Sequence, residues 1–366
     1  MRVIKYKPIL MSATIFSNDS RVIFNDQAYL ELNNLLADHR YSKLFLLVDQ
    51  NTHQHCLSSF LGKLDKEHEF EIIEIPAGEA HKQIETCSQV WAAISELGGD
   101  RKSLLINLGG GVVTDLGGFV AATYMRGIEF INIPTSLLAM VDASVGGKTG
   151  VDLGPLKNQV GVFTEPLMVL VDVEYLKTLP PNELRSGLAE MLKHGLICDK
   201  NYWEQLSEMD KLDPSALQDL IYRSVEIKNQ VIKQDPKESG LRKILNFGHT
   251  LGHAIESYFL EQPDKTTLLH GEAIAIGMIM ESYLSVHLTG LSQEKLEQIK
   301  DVFSNYYPSQ EISSEELESI IELMRFDKKN NNGKVNFALL KDIAKPIWDI
   351  NADNELIHRA LEYYKK

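Results

Sequence analysis

The sequence predicts two domains, an α/β domain with a parallel sheet followed by an all-α domain. In the first half, short apolar runs that end in Gly, Pro or Asp alternate with helical stretches, which is typical of a parallel sheet covered by helices. After about residue 180, helical patterns follow one another with little sign of strands. A length of 366 residues with 44% hydrophobic residues suffices for two cores. We place the boundary at the Pro180–Pro181 pair, which gives domains 1–179 and 180–366.

Five apolar runs form the predicted sheet. They are KLFLLVDQN (43–51), FEIIEIP (70–76), KSLLINLGGG (102–111), IEFINIP (128–134) and PLMVLVD (166–172). Such continuous runs predict strands buried on both faces, and stretches such as ETCSQVWAAISELG predict the intervening helices. The second half is predicted to be helical from PPNELRSGLAEMLKHGLI, LQDLIYRSVEIKNQVIKQD and GEAIAIGMIMESYLSVHLTG.

The overall charge and the cysteine pattern argue against several classes of protein. A net charge of −14 is the opposite of the basic face that nucleic-acid binders carry. Cys56, Cys87 and Cys198 show no Cys-x-x-Cys spacing, so neither a disulfide framework nor a zinc ribbon is expected. The chain shows no signal peptide and no apolar run of the ~18 residues that cross a bilayer. We therefore expect a cytoplasmic protein that binds small molecules.

Two strand ends carry residues that could bind a cofactor. Gly109-Gly110-Gly111 lies between a predicted strand and a helix, where backbone N–H groups can approach a phosphate. The triplet does not fit the Gly-x-Gly-x-x-Gly fingerprint, so a tight turn and a cofactor site are equally good interpretations. Asp49-Gln50-Asn51 could hold a ribose hydroxyl or could simply form a strand-end turn.

The stretch DASVGGKTGVD contains Gly-Lys-Thr, the end of a phosphate-binding P-loop. The first glycine of that motif should stand at position 142, where this chain has an aspartate. The preceding IPTSLLAMVDAS also looks more like a helix than like the strand that a P-loop requires. We therefore reject nucleotide hydrolysis, and expect Lys148 to bind an anion in another geometry.

Histidines and a glutamate in the second half suggest a metal site. His249 and His253 are four residues apart and share a helix face, and His270 begins another predicted helix. Glu190 lies among apolar residues, where a buried carboxylate needs a partner or a cation. One glutamate with two histidines would form an open zinc site. Spacing alone leaves open which two of His194, His249, His253 and His270 are ligands.

Basic residues accumulate on the same segments, against the acidic background of the chain. Together they predict a pocket for a polyanionic small molecule. They are Arg126, Lys148, Lys157, Lys193, Lys228 and Arg242.

Seven segments, taken in order, resemble the 3-dehydroquinate synthase family of sugar-phosphate cyclases. They are PAGEAHK, GGGVVTDLGGFVAATYMRG, IPTSLLAMVDASVGGKTGVD, GLAEMLKHGLI, LNFGHTLGHAIE, LLHGEAIAIGM and RFDKKNNNGKVNFALL. The resemblance covers nearly the whole chain. It implies a Rossmann-like NAD-binding domain followed by a helical metal- and substrate-binding domain.

The resemblance also implies a reaction. The family comprises lyases of the shikimate pathway, which leads to chorismate and the aromatic amino acids. They convert 3-deoxy-D-arabino-heptulosonate 7-phosphate into 3-dehydroquinate and phosphate, using NAD and a divalent metal, zinc or cobalt. Transient oxidation by NAD, phosphate elimination, re-reduction and an intramolecular aldol cyclisation follow one another, so NAD is regenerated in each turnover.

Residue roles follow from the matched motifs. For the metal ligands, the resemblance indicates Glu190, His249 and His270. For NAD contacts, it indicates Asp49, Asn51, Glu79, Lys82, Gly110, Gly111, Val112, Asp115, Thr135, Ser136, Lys148, Lys157 and Thr178. For the catalytic substrate pocket, it indicates Asp142, Lys148, Asn158, Lys193, Lys228, Arg242, Asn246 and His253, with the Lys328–Lys329 pair as a further contact. Arg126 matches an arginine that reaches into the neighbouring subunit's site, which implies a homodimer.

Three other functions are weighed against this interpretation. A cyclase acting on sedoheptulose 7-phosphate would share the mechanism, but the retention of Lys228, Arg242 and Asn246 favours a carboxylated substrate. A metal-dependent, NAD-linked alcohol dehydrogenase would release NADH and would not need so many anion-binding groups. A non-catalytic NAD-binding module should have lost a metal ligand or a pocket lysine, and the sequence shows no such loss.

Overall fold

The chain folds into two compact units. The computed structural model describes residues 14–17, 19–38, 40–65, 68–154, 156–209, 216–262, 264–324 and 335–366. The sheet unit comprises the described residues of Met1–Gly150, Gly161–Leu179 and Asp213–Asn229. The helical unit comprises those of Val151–Val160, Pro180–Leu212 and Gln230–Lys366. The division into two domains at 179/180 stays a prediction.

The strands and helices of the described residues are as follows. The strands are β1 (Thr14–Phe16), β2 (Arg21–Phe24), β3 (Leu44–Asp49), β4 (Phe70–Ile75), β5 (Leu104–Gly109), β6 (Glu129–Pro134), β7 (Lys148–Leu153), β8 (Leu156–Phe163), β9 (Met168–Val171), β10 (Phe337–Asp342) and β11 (Lys345–Ile350). The helices are α1 (Asn25–Ala37), α2 (Gln50–His55), α3 (Leu57–Leu61), α4 (Ile84–Glu96), α5 (Gly111–Thr123), α6 (Pro181–Cys198), α7 (Lys200–Ser207), α8 (Gln218–Gln234), α9 (His249–Glu261), α10 (His270–Leu288), α11 (Gln293–Tyr306), α12 (Ser314–Met324) and α13 (Asn354–Lys365).

Seven strands form the sheet of the sheet unit, in the order β1-β2-β9-β6-β5-β3-β4. β1 runs antiparallel to β2, and the other neighbouring strands are parallel. The five predicted strands are confirmed as β3, β4, β5, β6 and β9. Because β3, β5 and β6 are parallel neighbours, their carboxyl ends at Asp49, Gly109 and Pro134 lie along one edge of the sheet. Ligands of α/β sheets bind at this kind of edge.

The core of the helical unit is the long helix α10. Its buried residues surround the whole helix, and it packs against α6, α9, α11 and α13. α9 and α10 approach closely, since a Cβ added at Gly277 would lie 2.0 Å from the carbonyl oxygen of Gly248. Glycine at this position therefore brings two histidine-bearing helices together. Among the described residues, no helix is long and apolar enough to span a membrane.

The expectation that the second half has little strand structure is wrong at one place. β10 and β11 form an antiparallel hairpin, with Asp342 paired to Lys345 across the turn. The turn residue Ala344 adopts a left-handed φ of 60°, and the turn has no Asn-Gly or Gly signal. The hairpin therefore lacked the sequence feature that usually reveals one. Cys56, Cys87 and Cys198 form no disulfide with one another.

Candidate active site

The glycine turn at the carboxyl end of β5 brings several predicted cofactor residues together. Gly110 precedes α5, and a Cβ added there would lie 3.4 Å from Oγ of Ser136. The amide of Thr135 donates to the carbonyl of Gly109 at 3.0 Å. A Cβ at Gly109 would lie 2.5 Å from the Val113 side chain, so this turn requires glycine. The turn thus presents the N-terminus of α5, with Gly111 and Val112 in its first turn, next to Thr135 and Ser136.

The neighbouring strand end carries Asp49, whose carboxylate caps α2. Its Oδ1 accepts the amide of Thr52 at 2.8 Å, and Asn51 is exposed in the first turn of that helix. Burial and the nearby Asp49 carboxylate raise the pKa of the Cys56 thiol to about 11, and hydrogen bonds with Thr135 and Thr178 oppose this shift. Cys56 therefore lies close to Asp49, Thr135 and Thr178.

Charged residues of the sheet unit form two groups. Lys82 Nζ donates to Asp115 Oδ2 at 2.5 Å and lies 4.0 Å from the carboxylate of Glu79. Burial raises the pKa of Asp115, and the Lys82 ammonium opposes this shift. Lys228 Nζ donates to the carbonyl and the Oδ1 of Asp142, each at 2.6 Å. Each lysine is therefore held in place by a carboxylate.

The Gly-Lys-Thr stretch does not form a P-loop. Residues 137–143 are helical and end in a π-helical turn at Ala139–Ala143. Gly146 and Gly147 adopt left-handed φ values of 104° and 68°, and Lys148 then begins strand β7. A P-loop lysine would instead begin a helix. The rejection of nucleotide hydrolysis thus agrees with the geometry.

Three helices of the helical unit converge on the Glu190 carboxylate. Glu190 lies on α6 and is fully buried, and Lys193, one turn later, donates a hydrogen bond to its Oε2. Glu190 Oε1 lies 3.3 Å from Nε2 of His249 on α9 and 3.6 Å from Nε2 of His270 on α10. We call these three residues the Glu–His cluster.

The donor set of the Glu–His cluster fits a divalent metal. A tetrahedral zinc ion with ligands at about 2.0–2.1 Å places neighbouring donor atoms about 3.3–3.4 Å apart. The two oxygen–nitrogen separations, 3.3 Å and 3.6 Å, are close to this value. The far nitrogens are also engaged, since Nδ1 of His249 contacts the carbonyl of Phe247 and Nδ1 of His270 contacts Glu256 Oε2, each at 3.1 Å. In both rings Nε2 is therefore left to face Glu190.

The protonation states of the two histidines differ. Burial and the Lys193 ammonium lower the pKa of His249 to about 4, so its imidazole is neutral at pH 7. Burial opposes protonation of His270 as well, but the carboxylates of Glu256 and Glu190 raise its pKa to about 10. Burial would raise the pKa of Glu190, yet Lys193 and His249 hold it well below its usual value. A cation at this cluster would compete with the His270 proton.

Two further histidines lie in the same unit. The ring of His253 is 5.0 Å from that of His249 and 5.7 Å from that of His270. The ring nitrogens of these three histidines lie within 4.8 Å of one another, so His253 belongs to the same group. His194, on α6, is completely buried.

Anion-binding candidates of the helical unit are held by carboxylates. Asp235 accepts the amide of Arg242 at 3.0 Å, and Asn246 Nδ2 donates to Glu238 Oε1 at 2.6 Å. Arg242 is 2% exposed, and its Nη1 donates to the carbonyl of Pro236 at 2.6 Å. This loop fixes Arg242 and Asn246 on a short 3₁₀ turn, Leu241–Asn246.

The β7–β8 hairpin carries Lys157 and Asn158. Lys157 Nζ lies 3.3 Å from Asp152 Oδ2 and 3.3 Å from Glu256 Oε1. The amide of Asn158, with a left-handed φ of 51°, donates to Asp152 Oδ1 at 2.6 Å. The predicted cofactor contact Lys157 is therefore an ion-pair partner of Glu256.

Arg126 is exposed at the end of a 3₁₀ turn in the sheet unit. It and Met125 adopt left-handed φ values of 71° and 48°, which are unfavourable for non-glycine residues. Such strain persists only where the surroundings enforce it. The Lys328–Lys329 pair lies outside the described residues.

Sequence reasoning missed several carboxylates next to the predicted site. Glu256 follows His249 and His253 at the i, i+4, i+7 spacing of one helix face, and that spacing could have revealed it. Glu281 is completely buried on α10 and accepts the amides of Gly248 and Leu251 at 2.7 Å and 3.1 Å. It thereby fixes the first turn of α9, where His249 lies. No local signal revealed Asp235, whose partners are backbone amides and the Ser239 hydroxyl.

The fold is one that sugar-phosphate cyclases and NAD-dependent dehydrogenases share. The structure is similar to 2-epi-5-epi-valiolone synthase from Streptomyces hygroscopicus with NAD+ and Zn2+ bound, with a TM-score of 0.78 and 26% identity over 100% of this chain and 99% of that chain. It is also similar to 2-deoxy-scyllo-inosose synthase complexed with carbaglucose-6-phosphate, NAD+ and Co2+. There the TM-score is 0.79 at 24% identity, over 96% of this chain and 99% of that chain, and the likeness concerns the fold alone.

Sequence comparison identifies the family. Models described as 3-dehydroquinate synthase N-terminal and C-terminal match residues 72–186 and 187–330. The 3-dehydroquinate synthase of Parabacteroides distasonis is 42% identical over 352 residues, which cover 95% of this chain and 99% of the relative. The chain belongs to the 3-dehydroquinate synthase family.

Proposed function

We propose that this protein is a 3-dehydroquinate synthase, a lyase of the shikimate pathway that leads to chorismate and aromatic amino acids. It converts 3-deoxy-D-arabino-heptulosonate 7-phosphate into 3-dehydroquinate and phosphate. The observation that carries the proposal is the Glu–His cluster beside the buried Lys193, in a chain of this family. An acidic ligand, two imidazoles and a buried ammonium suit a metal-bound, anionic hydroxy substrate.

Glu190, His249 and His270 would hold the metal, zinc or cobalt. When bound, the metal polarises a substrate hydroxyl, and NAD accepts and returns the hydride. Support for a tetrahedral divalent metal such as zinc comes from the donor spacing, since 3.3 Å and 3.6 Å approach the edge length of a zinc tetrahedron. His253 is assigned to the substrate, because Glu190 Oε1 faces the other two rings.

NAD would lie along the carboxyl edge of β3, β5 and β6. The helix N-terminus at Gly110, Gly111 and Val112 offers backbone amides to the pyrophosphate. The remaining contacts are assigned to Asp49, Asn51, Glu79, Lys82, Asp115, Thr135, Ser136, Lys148, Lys157 and Thr178. Support for five of them comes from the contacts of Thr135 and Ser136 with the glycine turn and from the Lys82 ion pairs with Glu79 and Asp115.

The chain's own residues bind and orient the substrate. Lys148, Lys193, Lys228 and Arg242 supply positive charge for the phosphate and the carboxylate. Lys228 is held by Asp142, and the Arg242 guanidinium donates to the carbonyl of Pro236, so both cations are oriented before substrate arrives. Asn158, Asn246 and His253 supply hydrogen-bonding groups to the substrate hydroxyls. The substrate phosphate can itself take the proton during elimination.

We also propose a homodimer in which Arg126 acts in the neighbouring subunit. The proposal is supported by the exposure of Arg126 and its strained backbone. The single variants Arg126→Ala and Glu190→Gln should both be inactive. Mixed and refolded together, they should regain activity, because one site of the heterodimer then has both residues. Failure of the mixture to regain activity, with heterodimers present, would contradict the proposal.

The cytoplasmic location predicted from the sequence stays a proposal, and cell fractionation tests it.

The two-domain division at 179/180 also stays a proposal, and limited proteolysis near that position tests it.

One assay decides among the candidate functions. Purified protein loaded with zinc receives the heptulosonate phosphate and trace NAD, while phosphate release and NADH absorbance are recorded. Phosphate in large excess over NAD, without NADH accumulation and with dehydroquinate formed, supports the synthase. NADH that accumulates in step with substrate would indicate an alcohol dehydrogenase. Phosphate released only from sedoheptulose 7-phosphate would indicate the other class of cyclase.

A further inference from the structure

A line of alternating charges ends on His270. Asp152 Oδ2 lies 3.3 Å from Lys157 Nζ, and the same ammonium lies 3.3 Å from Glu256 Oε1. The second oxygen of Glu256 lies 3.1 Å from Nδ1 of His270. The side chains of Asp152, Lys157 and Glu256 are only 4%, 5% and 7% exposed, so solvent screens these contacts weakly.

The two oxygens of Glu256 therefore have different partners. Oε1 faces the Lys157 ammonium, and Oε2 accepts a hydrogen bond from Nδ1 of His270. In the neutral ring that a metal requires, this bond holds the proton on Nδ1 and leaves Nε2 directed toward Glu190 Oε1, 3.6 Å away. A hydrogen bond to the far nitrogen of a metal-binding histidine fixes both its tautomer and its ring orientation.

We propose that Glu256 is a positioning residue for the metal, acting through His270, and that Lys157 holds its carboxylate in place. The inference rests on the proposed role of His270 as a metal ligand. Glu256 orients the ring, and its negative charge makes the imidazole a stronger donor. Lys157 occupies the other oxygen, which keeps Oε2 directed at His270.

His249 provides an internal comparison. Its Nδ1 contacts the carbonyl of Phe247, a neutral acceptor supplied by the backbone of the same segment. A backbone carbonyl fixes the ring but adds no charge, and no side-chain substitution removes it. Of these two histidines, His270 is the one whose Nδ1 contacts a charged side chain. A substitution can remove that charge without changing the backbone.

The test is the zinc affinity of the Glu256→Gln variant. Glutamine keeps the size of the side chain and one acceptor oxygen but removes the charge. Competition with a chelating dye should show zinc bound about 10–100-fold more weakly than by the wild type. The visible spectrum of the cobalt-loaded variant should also change, because the cobalt ion reports on the orientation of its ligands. Zinc affinity within twofold of wild type, with an unchanged cobalt spectrum, would overturn the proposal.

Two controls separate positioning from general stability. Asp172→Asn removes a buried carboxylate of the sheet unit that pairs with Lys63 and accepts from Tyr29. It should lower the melting temperature and leave zinc affinity unchanged. If it weakened zinc binding as much as Glu256→Gln, the effect would be structural and the proposal wrong. Wild-type protein that failed to bind zinc would instead refute the metal site itself.

The variant Glu256→Asp serves if Glu256→Gln does not fold. Aspartate keeps the charge but withdraws the carboxylate by one methylene from His270. We expect zinc affinity to fall by about tenfold, the lower end of the ~10–100-fold range for such partners, and the cobalt spectrum to change. Unchanged affinity and spectrum would overturn the proposal.

Discussion

The sheet unit and the helical unit build their candidate sites from different parts of the chain. The sheet edge offers mainly backbone, namely the glycine turn and the N-terminus of α5. The Glu–His cluster offers buried, charged side chains from three helices. A site made of backbone amides depends on the backbone conformation and on the absence of side chains that would fill it. A site made of buried charges depends on each charge having its partner. We therefore expect substitutions at the sheet edge to weaken NAD binding, and substitutions in the Glu–His cluster to weaken metal binding.

The largest expected effect is that of Glu190→Gln. Glutamine gives the metal a neutral oxygen and leaves the buried Lys193 ammonium without its carboxylate. Zinc affinity should fall by more than the ~10–100-fold that the loss of an outer partner costs, and turnover should fall to background. Dye competition and phosphate release measure both.

The matched control is Glu316→Gln, since Glu316 also pairs with a lysine, Lys265, in the helical unit. It should leave zinc affinity and turnover unchanged. If Glu190→Gln bound zinc normally while NAD binding weakened, the roles assigned to the two units would be wrong.

Lys228→Met should affect substrate rather than metal. Loss of a charge-assisted hydrogen bond costs roughly 1.5–3 kcal/mol, so kcat/KM should fall about 10–100-fold. Zinc affinity should be unchanged, which steady-state kinetics and dye competition together can show. Lys177→Met, at an exposed lysine of the same unit, should have no effect. An equal loss in both variants would argue against a substrate contact.

Gly110→Val tests the backbone site. A Cβ at this position would already lie 3.4 Å from Ser136 Oγ, and the added methyl groups would occupy space beside the α5 N-terminus. We expect the Kd for NAD to rise about tenfold, which is ~1.4 kcal/mol, with zinc affinity unchanged. Calorimetric titration measures the Kd, and Gly62→Ala, at an ordinary φ of −68°, is the control. Unaltered NAD binding would indicate that the glycine triplet is only a tight turn.

The smallest effect concerns the loop that holds Arg242. Burial would raise the pKa of Asp235, but the amides of Gly240, Ser239 and Arg242 lower it to about 2. A carboxyl with a lowered folded-state pKa stabilises the fold above the unfolded pKa of about 3.9 and loses this effect as pH falls through about 2. Asp235→Asn should lower the free energy of unfolding by about 1 kcal/mol at pH 7, because the amide oxygen of asparagine still accepts hydrogen bonds from the loop but carries no charge, and by less at pH 3. Urea unfolding that showed equal losses at both pH values would contradict this.

Five of the seven strands of the large sheet could be predicted from sequence, and β1 and β2 were missed. Strands such as β3 and β5 are continuous apolar runs that end at Asp49 and Gly109, so hydrophobicity and turn residues both mark them. The β10–β11 hairpin was missed because its turn at Ala344 has no glycine or asparagine. A local sequence pattern thus predicts a strand or a turn only where residues close in sequence determine that structure.

The Glu–His cluster could be predicted only in part. Helical spacing shows that His249 and His253 share a face of α9, but it does not show which helix packs opposite. The choice of His270 over His194 came from the family resemblance and not from spacing. The supporting contact from Glu281 to the first turn of α9 joins residues about 30 positions apart, and no local pattern encodes it.

The most direct test of the account is the position of the metal. A crystal of the zinc-loaded protein, measured at the zinc absorption edge, gives an anomalous difference map. We expect one peak at about 2.0–2.2 Å from Glu190 Oε1, His249 Nε2 and His270 Nε2. A peak that His253 ligates in place of His270, or zinc bound away from Glu190, would contradict the account.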